Sequence, residues 1–290
     1  MTGMPVIEFR NAMLTYTEFI WRRRRGVPLP AFRRTVVFKD FTWAVKGGTA
    51  VLLKGPNGSG KSTLLRAAAG LLQPIAGEVW RCGQPATSPS DGSDGKTEFV
   101  SDKTSAFYRL LTVEQNLKIW GLLNGMPRNL VKKRMQYIVQ SFELNDILNI
   151  RLASLSSGQL QRFAVAIKML TLPQLLLLDE PWRSIDMATQ SRLMDAVYRY
   201  IRSQGARVLI MAAHMCDHLE SYFDEVIDLD ELSRETPTIV PIRMPSGSSP
   251  PAVVSLDVGS SRPATRKAGA FHGTDGAERA NEMADFYGSR

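Results

Sequence analysis

The stretch Gly55-Pro-Asn-Gly-Ser-Gly-Lys61-Ser62 restricts the fold of this chain more than any other. Its glycines cannot sustain a regular element, yet its flanks require two of them. Thr49 to Leu53 reads as an apolar strand, and Lys61 to about Leu72 reads as a helix. A strand that turns through glycines into a helix leaves backbone N–H groups ringed around the helix N-terminus, where an anion is stabilised. The spacing GxxxxGK[ST] on such a unit is a phosphate loop, and the unit belongs to an α/β sheet.

Each loop residue then acquires a task. Gly55, Pro56 and Asn57 belong to the nucleotide-binding loop, and Gly58, Ser59, Gly60 and Lys61 present N–H groups to phosphate. The Lys61 ammonium reaches the β- and γ-phosphates of ATP, the Ser62 hydroxyl takes one Mg²⁺ position, and Thr63 is placed to bond the α-phosphate. Downstream, Leu175 to Leu178 form a buried strand that ends in Asp179-Glu180-Pro181. Two carboxylates at the carboxyl end of such a strand stand where ligands bind. Asp179 would hold Mg²⁺, directly or through water, and Glu180 would take the proton of the water that attacks the γ-phosphate.

Between these motifs lies Leu155-Ser-Ser-Gly-Gln159-Leu-Gln161-Arg162, and with it the chain resembles the ABC ATPase family over residues 6 to about 230. The resemblance implies an α/β P-loop NTPase of the ABC ATPase fold, with a mixed central sheet, an antiparallel β subdomain and a helical subdomain. It also implies that Ser156, Ser157, Gly158 and Gln159 contact the γ-phosphate held by a second copy. The family usually has Gly where this chain has Ser157. Ser184-Ile-Asp186 resembles the family's D-loop, and His214, after the strand Val208 to Ala213, resembles its switch histidine. His218 and His272 acquire no role. Asp102 stands where the family has a glutamine that senses magnesium; a carboxylate there can still orient water or the Mg²⁺ beside ATP, although it brings negative charge toward the phosphates. Tyr16 fits the aromatic that stacks on adenine, with Phe19 or Trp21 as substitutes.

The organisation expected is an ATP-binding domain over 1–234, interrupted by a basic insertion at 17–35 and a mobile loop at 85–96, with a helical subdomain at about 103–165. Residues 6–16 read as a strand, a turn and a second short strand before the insertion. Past Glu235 the chain turns to Pro, Ser, Gly and Thr, so 235–290 is expected to be a disordered tail. Cys82 and Cys216 form no CxxC pair, and the N-terminus has no basic and apolar leader, so a reducing, ATP-containing compartment is expected.

The apolar runs are far shorter than the roughly 20 residues needed to cross a bilayer, so a membrane span is expected only in a partner. The resemblance therefore implies a subunit that dimerises on ATP, as a homo- or heterodimer, and docks from the cytoplasmic side on an integral transporter chain. Ser101-Asp-Lys-Thr-Ser-Ala-Phe-Tyr-Arg and Asp179-Glu-Pro-Trp-Arg-Ser-Ile-Asp186 look like ABC-2-type exporters, and the phosphate loop also resembles the cytochrome c maturation ATPase. Soluble ABC ATPases of iron-sulfur assembly, ribosomes or DNA form the alternative. Net charge of +8 keeps nucleic acid in view, but neither a second cassette nor a long heptad insertion is present, so it is not the expected partner. Arg22 to Arg25, Arg33 and Arg34, interleaved with Phe19, Ile20, Trp21 and Phe32, suit either a lipid headgroup boundary or a solvated basic loop.

Overall fold

The computed structural model describes residues 5–24, 27–86, 97–101, 107–202, 207–214, 217–229 and 252–254, of which 17–24, 27–34 and 252–254 are described as backbone only. Four strands, β1 (Pro5–Arg24), β2 (Val27–Lys46), β4 (Ala76–Arg81) and β5 (Gln84–Pro85), form an antiparallel sheet in the order β2-β1-β4-β5. A second sheet holds β3 (Ala50–Lys54), β6 (Thr97–Val100), β7 (Leu175–Asp179), β8 (Val208–Ala212), β9 (Glu225–Asp228) and β10 (Ala252–Val254), in the order β10-β9-β3-β8-β7-β6. Every pairing in this second sheet is parallel. The four-stranded sheet is the antiparallel β subdomain that was expected, and the two sheets together supply the mixed strand directions.

The parallel sheet is buried on both faces, which is why its strands are unbroken apolar runs rather than alternating ones. Val51, Leu53, Leu175, Leu177, Val208 and Ile210 face the antiparallel sheet and helix α1 (Lys61–Ala68). Their neighbours Leu52, Leu176, Leu178, Leu209 and Met211 face a second core, which also takes in the helical part of the chain. Helices α2 (Val113–Leu123), α3 (Arg128–Ser141), α4 (Ser157–Met169) and α5 (Met187–Arg202) pack there through residues such as Leu117, Ile138, Phe163 and Val197. Each fully buried leucine of β7 contributes about 1.5–3 kcal/mol of hydrophobic stabilisation.

Several local expectations give way. The turn expected inside residues 6–16 is a bulge in one continuous strand: Asn11 adopts φ 47° and its N–H donates to Thr42 Oγ1 at 3.0 Å. The basic segment does not interrupt the sheet; its backbone continues β1 and β2 as a hairpin in register from Thr17↔Arg34 to Arg24↔Val27. Helix α1 stops at Ala68 rather than near Leu72, because Gly70 takes φ 74° and Leu71 and Leu72 turn their N–H groups back to the Arg66 carbonyl. Pro85 belongs to β5, while 87–96 lies outside the described residues. Of the tail expected at 235–290, all but 252–254 lies outside the described residues, and Ala252–Val254 pairs in parallel with β9. Among the described residues no helix is long and apolar enough to cross a membrane.

Candidate nucleotide site

In the sheet, β3, β8 and β7 are neighbours, so the residues that follow their carboxyl ends fall side by side. The phosphate loop follows β3, His214 follows β8, and Asp179 ends β7 just before Glu180. Backbone bonds fix this alignment: the Ala213 N–H donates to the Leu53 carbonyl at 3.1 Å and the Glu180 N–H to the Ala212 carbonyl at 2.9 Å.

Within the loop, the Lys61 side chain is buried and its ammonium donates to the Gly55 and Pro56 carbonyls at 2.6 and 2.9 Å. The Ser62 hydroxyl donates to Asp179 Oδ1 at 3.0 Å, which joins the two motifs directly. Gly60 caps α1 at φ 97°, and a Cβ there would lie 2.5 Å from Val37 Cγ1 and 2.7 Å from Phe38 Cε2. Only glycine accommodates both demands. The Ser59 hydroxyl is buried without a hydrogen-bond partner, a polar atom placed for something that the protein itself does not supply. An acceptor-rich phosphate suits it.

A hydroxyl and a carboxylate 3.0 Å apart offer the hard oxygen donors that Mg²⁺ takes. No group of three or more His, Cys, Asp or Glu among the described residues could hold a metal by itself. The pair therefore fits an ion that keeps water and phosphate oxygens as its remaining ligands.

Glu180 lies at φ 49°, a left-handed conformation that costs a non-glycine residue free energy and that recurs at functional positions. Arg183 Nη1 stands 3.6 Å from its Oε2. His214 is exposed. Tyr16, exposed and paired with Thr35, lies two residues beyond Leu14, whose partner Phe38 leans on Gly60, so this part of β1 runs beside the loop. Asp102 lies outside the described residues.

Ser156 to Gln159 sit elsewhere. Ser156 caps α4 in a reciprocal box: its hydroxyl accepts from the Gln159 N–H, and Gln159 Oε1 accepts from the Ser156 N–H. Ser156 and Ser157 are exposed, and Gly158 lies against the Ser184 carbonyl, where an added Cβ would stand 2.9 Å away. The surroundings of this helix end are the D-loop, not the phosphate loop. It offers free N–H groups and a positive dipole end to an anion from outside the chain.

Sequence reasoning missed the groups that hold these parts in place. Gln161 Oε1 accepts from the Ser184 N–H at 2.9 Å, which ties the D-loop to α4. Lys54, at the end of β3, binds Asp217 and Glu220, so the chain after His214 is anchored next to the loop. Burial lowers the Lys54 pKa, but the bonds to Asp217 and Glu220 outweigh it and hold the ammonium above its ordinary value. Asn116, buried on α2, accepts from the Tyr108 N–H and donates to the carbonyls of Tyr108 and Thr112, so it shapes the segment that follows Asp102. A polar residue in the apolar stripe Val113, Leu117, Trp120 was the one sequence signal for it.

A glycine loop at the end of one strand and an acidic end on the next strand but one, with a serine and an aspartate already bonded across the gap, define a nucleotide-binding ATPase of the P-loop class. The particular family is given by comparison: residues 38–183 match the ABC transporter family. The chain belongs to that family and is an ATP-binding ABC ATPase.

Among its relatives is the cytochrome c biogenesis ATP-binding export protein CcmA of Sphingopyxis alaskensis, 33% identical over 68% of this chain and 88% of that protein. The O-antigen export system ATP-binding protein RfbB of Klebsiella pneumoniae is 27% identical over 77% and 89% of the two chains. The sulfate/thiosulfate import ATP-binding protein CysA of Synechocystis is 33% identical over 65% of this chain and 52% of that one. Among solved structures, the ATP-binding cassette MJ0796, as a dimer bound to ADP and Pi after hydrolysis, superposes with a TM-score of 0.63 over 77% of this chain and 93% of that one, at 23% identity. That last likeness speaks for the fold.

Proposed function

We propose that this chain is the ATP-hydrolysing subunit of a multi-chain transporter that exports its substrate through a separate membrane subunit. The observation that carries the reading is that two candidate parts of one site stand apart in the chain: Ser62 bonds Asp179 beside Lys61, while the N-terminus of α4 is exposed beside Ser184. Two copies, or this chain and a similar one, would complete each other's sites with Ser156, Ser157, Gly158 and Gln159. ATP binding would then close the dimer and hydrolysis would open it, which biases a partner between two states.

In the closed site, Gly58, Ser59, Gly60 and Lys61 N–H groups surround the phosphates, and the Lys61 ammonium exchanges the Gly55 and Pro56 carbonyls for β- and γ-phosphate oxygens. Thr63 bonds the α-phosphate and Tyr16 stacks on adenine. Ser62 and Asp179 would hold Mg²⁺, which supplies neutralisation of the charge on the β- and γ-phosphate oxygens. Glu180 takes the proton of the attacking water, and His214 contacts the γ-phosphate.

Export is favoured over import because the chain spans 88% and 89% of the two export proteins but 52% of the import protein. A narrower version, cytochrome c maturation, is supported by the CcmA relative, whose length the chain nearly spans. The exposed side chains of Tyr108 and Leu110, on the segment shaped by Asn116, offer an apolar docking place for the membrane subunit. Purification of the native chain from detergent-solubilised membranes tests the reading. An integral partner that stimulates ATP turnover is the expected outcome; recovery with ribosomes or nucleic acid instead would sink it.

A further inference from the structure

Strand β1 runs on past its own sheet. Its inner neighbour β4 pairs with it only between Ile7 and Met13, whereas β2 stays paired out to Arg24↔Val27. The eight pairs from Thr17↔Arg34 to Arg24↔Val27 form a two-stranded ribbon with no third strand among the described residues. At about 3.3 Å per residue it extends roughly 25 Å.

The register sorts its residues into two faces. Phe19↔Phe32, Trp21↔Pro30 and Arg23↔Pro28 share one, together with Thr17↔Arg34. Ile20↔Ala31, Arg22↔Leu29, Arg24↔Val27 and Glu18↔Arg33 share the other. Six arginines against one glutamate between residues 17 and 34 give a formal charge of +5, most of the chain's net +8. The positive charge is therefore concentrated at the tip and base of an apolar ribbon.

We propose that this ribbon binds the surface of an anionic lipid bilayer, its aromatic positions suiting the headgroup level and its arginine-rich sequence the lipid phosphates. Charge complementarity and composition select this occupant. On the β2 edge a partner strand is disfavoured because Pro28 and Pro30 carry no N–H donor. Single-stranded nucleic acid would use the aromatics and arginines but leave the aliphatic positions Ile20, Val27, Leu29 and Ala31 idle, whereas a lipid boundary uses all of them.

The test is sedimentation of the full chain with protein-free vesicles of phosphatidylglycerol and phosphatidylcholine, compared with phosphatidylcholine alone. Binding to the anionic vesicles is expected to be at least about tenfold tighter and to weaken as salt rises. Changing Arg22, Arg23, Arg24 and Arg25 together to Ser should abolish the difference while ATP binding by the same preparation persists. Equal binding to both vesicles, salt-insensitive binding, undiminished binding by the variant, or retention by single-stranded RNA in place of vesicles overturns the proposal. The lipid and salt comparisons use the unaltered chain, so they decide the matter even if the variant misfolds. Because these vesicles contain no transporter, a negative result leaves the export reading untouched.

Discussion

At the scale of single residues, the site rests on backbone conformations that few side chains tolerate. Gly60→Ala would place a methyl group at φ 97° and within 2.5 Å of Val37, so either the loop or the β2 strand must shift. We expect ATP affinity to fall more than about tenfold, with a stability loss of about 1–3 kcal/mol, read by nucleotide titration and thermal melting. Glu180→Gln keeps the side-chain shape and the φ 49° backbone but cannot accept a proton. Steady ATP turnover should fall at least about 100-fold with ATP affinity retained, and near-normal turnover would remove Glu180 from the role of base. Asp186 gives a pH signature. The Thr189 N–H, donated at 2.9 Å to Asp186 Oδ1, holds this carboxyl below its ordinary value of 3.8. A depressed folded-state pKa means that the charged cap stabilises the fold above the unfolded value and is lost as pH falls through the folded one. The difference in thermal midpoint between wild type and Asp186→Asn should therefore be constant near neutrality and change only as pH drops below 3.8.

At the scale of elements, a buried ionic knot joins the sheet to the helices beside the nucleotide. Glu98 on β6 accepts from Lys168 of α4 at 2.8 Å and from the Thr171 hydroxyl at 3.1 Å, and the Lys168 ammonium lies 3.9 Å from the centre of the Trp120 ring on α2. The strand that leads toward Asp102 and the helix that begins at Ser156 are thus held by one contact. Glu98→Ala leaves the partly buried Lys168 without its carboxylate partner, and we expect a loss of about 1–3 kcal/mol in denaturant unfolding. The double change Glu98→Leu with Lys168→Met removes both charges and should recover most of it. If the double variant is as unstable as the single one, the knot acts through shape rather than charge. Neither Glu98 nor Lys168 stood out in the sequence, since each looks like an ordinary surface residue until tertiary packing encloses it.

At the scale of the whole molecule, the proposal of two half-sites has a direct consequence. A chain carrying Lys61→Ala keeps its α4 N-terminus, and a chain carrying Ser156→Arg keeps its phosphate loop. Neither should hydrolyse ATP alone, but a mixture should regain activity in the mixed dimer, which contains one intact site. Absence of rescue, with both variants shown to fold, would mean that the two parts do not meet across chains. Much of this protein was legible in order and spacing. The glycine loop, the leucine run ending in Asp179-Glu180 and the Ser156 to Gln159 cap are local patterns, set by backbone stereochemistry and by the burial of apolar runs, and these pointed to the α/β fold and to the ATPase. Spacing could not say that Ser62 meets Asp179 across 117 positions, that Gln161 ties down Ser184, or that the arginine-rich segment continues a hairpin rather than breaking it. Those contacts are made between residues remote in sequence. They exist only after the sheets and helices have packed, because a hydrogen bond or a strand register depends on where distant backbones are brought to rest.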